Sequence, residues 1–216
     1  MRKGQDRFEG RKGTGAGRMI QNRMHITLDE NHVYSSGGVI LDDPSVTEVI
    51  SAAGLMGWSP ADQYYLDRGR FVHEAIALYL KGRLDESSLS EGIRPFVDSA
   101  IEYIMTTGYK AEYIELSLHD SVYGYNGTLD ALPLRDWKNS GKQSWHAVQI
   151  SAYYNLAKYN CLNPMLPLTV HLNANGKTAK VETYKIRTIN DSYQVFLSAL
   201  HIFKWRKNKG LIKEKL

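Results

Sequence analysis

The feature that most constrains this chain is a change of hydrophobic period near residue 109. Up to Gly108 the apolar residues recur with the spacing of amphipathic helices. From Tyr109 they alternate: Ile114, Leu116 and Leu118 point one way, and Tyr113, Glu115 and Ser117 the other. Strands are expected to continue over 122–132 and 134–139. A helix over Ser144–Lys158 follows, then a hairpin over 166–187 around Asn175-Gly176, and a last helix over Asn190–Lys207. Before the switch, His25–Leu41 reads as a short hairpin around Ser-Ser-Gly-Gly. One helix is expected from Asp43-Pro44-Ser45, with Asp43 as N-cap and Glu48 three residues beyond Ser45. A second opens at Ser59-Pro60, with a break at Gly69, and a third spans Ser90–Thr107, stopped by Gly108. Helices, a three-strand meander, a helix, a hairpin and a helix make an α/β (α+β) sandwich around a mixed central sheet.

Residues 1–24 are a basic, flexible arm in this reading, and 25–216 a single domain. No apolar run nears the roughly 20 residues of a membrane span, and the start lacks a secretory signal, so an intracellular chain without membrane contact is expected. The lone Cys161 excludes an internal disulfide and cysteine-built metal sites, leaving oxygen and imidazole as metal ligands. The net charge of +4 is concentrated at the ends, in Arg2 to Arg23 and in Lys204, Arg206, Lys207, Lys209, Lys213 and Lys215. Two basic ends suit a polyanionic partner, and they equally suit solvated tails.

Chemistry concentrates in residues 124–154. Asp136 and Lys138 are two apart on a strand and share a face, with Trp137 on the other. A turn centred on Pro133 sets Asp130 opposite Asp136, with side chains about 5 Å apart, where like charges repel. A divalent cation between them would offset the repulsion, and Mg²⁺ or Mn²⁺ prefers such ligands. Lys138 on the same face can then orient a water or neutralise a phosphate oxygen. Asp-x-Lys by itself is also a common pattern of solvated strand edges. With Pro133 and no glycine the connecting turn is not a favoured hairpin, so truncated strands or an irregular turn are expected.

Taken in order, these segments resemble the PD-(D/E)XK nuclease superfamily, in its RecB-like exonuclease branch. GRFVH, ending at His73, is similar to the Gly-x-x-x-His helical motif of that branch. GTLD, ending at Asp130, is similar to its Gly-x-x-Asp strand motif, DWK to Asp-x-Lys, and QISAY, Gln149 to Tyr153, to Gln-x-x-x-Tyr. Residues 25–50, with Pro-Ser-Val-Thr, look like phage and mitochondrial genome-maintenance exonucleases. The resemblance covers about residues 25–207 and implies a restriction-endonuclease-like core.

It also implies that His73, Asp130 and Asp136 ligate Mg²⁺ or Mn²⁺, with the Trp137 carbonyl completing the shell, and that Lys138 positions the attacking water. Gln149 and Tyr153 would contact the DNA backbone or brace the site, and Glu115 is a further acidic candidate. Plainer roles stand beside these: His73 as a packed histidine, Gln149 and Tyr153 as a half-buried polar pair, Glu115 as a solvated or salt-bridged group, Trp137 and Trp145 as core. The expected activity is a metal-dependent deoxyribonuclease, an exonuclease on DNA ends or single strands serving recombination, repair or replication; the sequence leaves the oligomeric state open, with a monomer favoured. The alternatives are a structure-specific endonuclease and a catalytically compromised DNA-binding protein on the same scaffold.

Overall fold

A computed structural model describes residues 26–56 and 63–212. The basic arm, the Ser59-Pro60 helix start and Lys213 and Lys215 lie outside them. The chain clusters into two units, Met1–Leu41 and Asp42–Leu216.

In the first unit the expected hairpin is a three-stranded antiparallel sheet, β1 (Ile26–Leu28), β2 (Tyr34–Ser36) and β3 (Val39–Ile40). Asp29 closes the first turn by accepting the Asn31 and Val33 amides at 2.9 and 2.8 Å. The second is Gly37-Gly38, between the paired Ser36 and Val39, with φ of 56° and 83°. That two-residue turn needs positive φ twice, which glycine supplies without a Cβ clash. Ser35 and Ser36, expected in the turn, belong to β2 because the glycines alone suffice to reverse the chain.

The second unit is a five-stranded mixed sheet in the order β4-β5-β6-β7-β8, formed by Tyr113–Asp120, Tyr125–Leu132, Arg135–Lys138, Leu168–His171 and Lys180–Thr183. β6 and β7 run parallel and the other neighbours antiparallel. Parallel strands need a crossover, and the helix Ser144–Tyr159 provides it. The helices are α1 (Val46–Ala52), α2 (Gln63–Leu80), α3 (Arg94–Thr107), α4 (Ser144–Tyr159) and α5 (Ile186–Asn208).

The sheet separates two apolar layers. Leu118, Leu129 and Leu132 pack with Val49 and Ile50 of α1, Ile150 and Leu156 of α4, and Phe196 of α5. On the opposite side Trp137 and Val170, register partners across β6 and β7, pack with Val72 and Ile76 of α2 and Phe96 and Tyr103 of α3. Each fully buried large side chain contributes about 1.5–3 kcal/mol.

Three helix expectations are corrected. α1 is capped by Ser45, not Asp43. The Ser45 hydroxyl accepts the Glu48 amide at 3.2 Å and the Glu48 carboxylate accepts the Ser45 amide at 2.9 Å, a complete capping box. Asp43 is occupied instead by Lys204 of α5, at 3.2 Å. α2 runs unbroken through Gly69, because burial of Val72 and Ile76 outweighs the roughly 1 kcal/mol helix penalty of one glycine. α3 starts at Arg94 rather than Ser90 and ends, as expected, at Gly108.

Candidate active site

The β5–β6 connection decides the geometry. Ala131 pairs with Arg135, the register of a turn centred on Pro133, and this is the one pair of the ladder. The next pair would be Asp130 with Asp136. There the backbone ladder stops, and the Asp130 carboxylate accepts the Trp137 amide at 2.9 Å. β6 is four residues long, so the strands are truncated and the side chain takes over a backbone acceptor's role. The turn carries a cis Leu132–Pro133 peptide. It is tied down by the Tyr109 hydroxyl donating to the Pro133 carbonyl at 2.8 Å and by the Leu134 amide donating to the Pro164 carbonyl at 3.0 Å.

From this splayed hairpin the two carboxylates reach in different directions. Asp130 meets His73 of α2, Nδ1 to Oδ1 at 3.2 Å. Asp136, 2% exposed, meets Lys138, Nζ to Oδ1 at 2.9 Å. Lys138 also donates to Gln149 Oε1 of α4 at 2.7 Å, and Gln149 Nε2 donates to the Tyr153 hydroxyl at 3.3 Å. Each of the two facing carboxylates thus has a partner within the protein, one an imidazole and the other an ammonium.

The titration behaviour follows. Burial pulls His73 down, but Asp130 beside it outweighs that and the imidazole pKa is raised. For Asp130 burial pushes upward, yet His73, Lys138 and the Trp137 amide bring it below its ordinary value. Asp136 goes the other way: burial and the Asp130 charge outweigh Lys138, and its pKa is raised. Its second oxygen, Oδ2, is buried with no hydrogen-bond partner.

Glu115 lies across from Asp130, where the β4–β5 ladder skips from Ile114–Ala131 to Leu116–Leu129. Its φ of 53° is left-handed, which costs a residue with a Cβ roughly 1–2 kcal/mol. Although its surface is open to solvent, burial around the carboxyl and the charge of Asp130 push it up to about 7, against His73 and Lys81.

Gln149 and Tyr153 are 6% and 7% exposed; Gln149 holds Lys138 and Tyr153 holds Gln149. Gly127 makes room for them. A Cβ there would meet Leu156 Cδ2 at 2.9 Å and Tyr153 Cε1 at 3.0 Å, so the glycine of GTLD lets α4 approach the sheet.

Two neighbours were given no role in the site by the sequence, which reads Trp145 as core and leaves His146 unassigned. The Trp145 ring lies 5.4 Å from Lys138 Nζ. His146 is fully buried, its Nδ1 accepting the Gln143 amide at 3.3 Å. Burial, then Lys138 and His171, hold its pKa down to about 3. Their signal was spacing: Trp145 and His146 stand four and three residues before Gln149, on one helix face. The C-terminal cations behave differently from a free basic patch. Lys204 binds Asp43, Lys207 binds Asp42 at 2.5 Å, and Arg206 donates to the Ala52 carbonyl at 3.2 Å. They fasten α5 to the region around α1.

The fold has a solved counterpart. The crystal structure of a "Putative exonuclease" from Eubacterium rectale superposes with a TM-score of 0.58 at 12% identity, covering 78% of this chain and 82% of that one. A second structure, LHK-Exo in complex with dAMP, overlaps 80% of this chain and 96% of its own at 16% identity, with a TM-score of only 0.33. No protein-family model and no curated protein matches the sequence. At 12% identity the likeness to the Eubacterium rectale structure concerns the fold. No helix among the described residues is long and apolar enough to cross a membrane.

Whether the cluster suits a metal ion turns on its donors. Among the described residues no group of three or more His, Cys, Asp or Glu side chains is already gathered into a ligand set. Donor chemistry nevertheless fits a hard divalent cation: an imidazole, two carboxylates, and in Asp136 Oδ2 a buried oxygen that lacks a hydrogen-bond partner. A cation entering here would replace the His73 contact to Asp130 rather than find an open cage.

Proposed function

We propose that this protein is a divalent-metal-dependent deoxyribonuclease, acting as an exonuclease on DNA ends or single strands. One observation carries the reading. Lys138 is clamped between Asp136 and Gln149 beside the unpartnered Oδ2 of Asp136, with Asp130 and His73 adjoining. The fold shared with the Eubacterium rectale structure is consistent with it.

In this reading His73, Asp130 and Asp136 hold Mg²⁺ or Mn²⁺, with the Trp137 carbonyl. When bound, the ion supplies Lewis-acid stabilisation of charge on the phosphoryl oxygens. Lys138 has three N–H donors. Asp136 and Gln149 take two and fix the ammonium, leaving the third for the attacking water or a phosphate oxygen. The water oxygen attacks phosphorus, the P–O ester bond opposite breaks, and the leaving oxygen takes a proton from solvent. Gln149 and Tyr153 restrain the amine, since a fixed charge loses less on reorganising than a mobile one. Glu115, across from Asp130, takes the proton that the attacking water gives up.

A second reading has its own support. Because His73 and Lys138 already neutralise the two acids, the scaffold also suits a DNA-binding protein without cleavage. Digestion of end-labelled single-stranded DNA with Mg²⁺ or Mn²⁺ separates the two. The wild-type chain is expected to release nucleotides, and Asp136→Ala and Lys138→Ala to lose at least 100-fold in rate while still binding DNA in Ca²⁺. Undiminished cleavage by both variants removes the assigned site, and binding without any cleavage by the wild type favours the second reading. Circular versus linear substrates distinguish exonuclease from endonuclease.

A further inference from the structure

Beside the site, at the C-terminal end of β6, lies an open cavity of about 370 Å³. Its polar lining comes from Arg68 of α2, Asn139 and Ser140 after β6, His171 and Asn173 around the end of β7, and Lys180 of β8; no carboxylate lines it. Two donors there are buried without a hydrogen-bond partner, Arg68 Nε and Asn139 Nδ2. Leaving such a donor unmade costs free energy unless a ligand supplies the acceptor. Glu182 of β8 is engaged by Lys142 and faces His171 Nε2 at 3.6 Å.

Arg68 is also held in place. Its guanidinium lies 5.0 Å from the centre of the Tyr65 ring and 4.8 Å from that of Phe96. An arginine fixed by stacking offers its planar donors with little further entropy loss, the arrangement suited to phosphate oxygens. The cavity adjoins the catalytic cluster on two sides. Asn139 follows Lys138 in the chain, and Gly69, one helical turn before His73, packs within 3.7 Å of the Asn139 amide, measured to the Cβ it lacks.

We propose that this cavity is a phosphate subsite, taking a phosphate group of the nucleic-acid strand next to the one at Lys138. The assignment rests on the nuclease reading for its nucleic-acid partner, and on donors outside the catalytic cluster for its chemistry. Arg68 and Asn139 donate to the phosphate oxygens, and Lys180 contributes charge. Tyr65, 54% exposed, offers a ring beside the anion on which a base can stack.

The test uses the full chain without divalent cation, so that nothing is cut. Inorganic phosphate is titrated with a thermal-shift readout, and single-stranded oligonucleotides bearing a 5′-phosphate or a 5′-hydroxyl are titrated by fluorescence anisotropy at several salt concentrations. Phosphate is expected to raise the Tm of the wild type and not of Arg68→Gln. Oligonucleotide affinity should fall about tenfold in Arg68→Gln, with the salt slope smaller by about 0.7, the value of one phosphate contact on a single strand. Lys180→Gln, at an exposed strand position, should lose affinity in the same direction and guards against a folding defect at Arg68. An equal loss on both oligonucleotides identifies a backbone phosphodiester, and a loss confined to the 5′-phosphorylated one identifies a terminal monoester; either supports the subsite. Wild-type affinity, salt slope and phosphate response in both variants overturn it. Cleavage by the wild type is assayed separately, with Asp136→Ala as the control, so a wild-type chain that binds phosphate here yet cuts nothing defeats the nuclease reading while leaving the subsite standing.

Discussion

Replacing Lys138 with methionine probes the charge balance of the cluster most directly. Lys138 and Asp136 are buried together, with side chains 11% and 3% exposed, and their contact is 2.9 Å. Methionine fills much of the volume but removes the ammonium, and both Asp136 oxygens are then without a partner. Breaking a buried ion pair by removing one member costs about 3–5 kcal/mol, because the remaining charge stays uncompensated. Asp136 can escape by taking up a proton. Burial raises its pKa even with Lys138 present, and losing Lys138 raises it further. An acid whose folded-state pKa lies above its unfolded value binds more protons when folded, so stability falls as pH rises through that pKa.

Lys138→Met should therefore lose about 3 kcal/mol at pH 8, near the lower end of that range. At pH 5 it should lose about 1 kcal/mol, the value of the lost hydrogen bonds alone. Adding Asp136→Asn should remove the pH dependence and restore most of the difference. Urea unfolding in EDTA, followed by the fluorescence of Trp137 and Trp145, measures this. An equal loss at both pH values, or no recovery with asparagine, refutes the idea that Lys138 compensates a buried Asp136 charge.

Gly127→Ala should destabilise by about 1–3 kcal/mol through overpacking, since the new methyl meets Leu156 and Tyr153; denaturant unfolding checks it, and the DNA-cleavage rate should fall with it as α4 shifts from Lys138. Ser45→Ala should cost about 1 kcal/mol from the lost cap, seen as a lower urea midpoint with unchanged cleavage. His146, with a folded pKa of about 3, must stay neutral, so its contribution is present above the unfolded value near 6.5 and is lost as pH falls toward 3. His146→Gln should flatten the acid side of the stability profile, by up to about 1.4 kcal/mol per pH unit below 6.5, in urea titrations at stepped pH.

The local instructions were legible in the residues. Alternation along 113–118 gives β4, Gly108 stops α3, Ser144 starts α4, and the two-residue spacing of Asp136 and Lys138 puts both on one side of β6. These depend on backbone sterics and on a burial period repeated within a few residues. What depends on partners far along the chain was not legible. Asp43 satisfies every local rule for a cap, yet Lys204, 161 residues away, claims its carboxylate and Ser45 takes the helix. Gly69 carries a breaking tendency that packing of α2 against Trp137 overrides. The sequence could place two acids opposite each other across a turn; that an imidazole from α2 and an ammonium braced by α4 neutralise them is settled only when the two layers close on the sheet. Side-chain charge is long-ranged and strengthens as water is excluded, so the pairing of these four groups belongs to the packed structure and not to any segment of it.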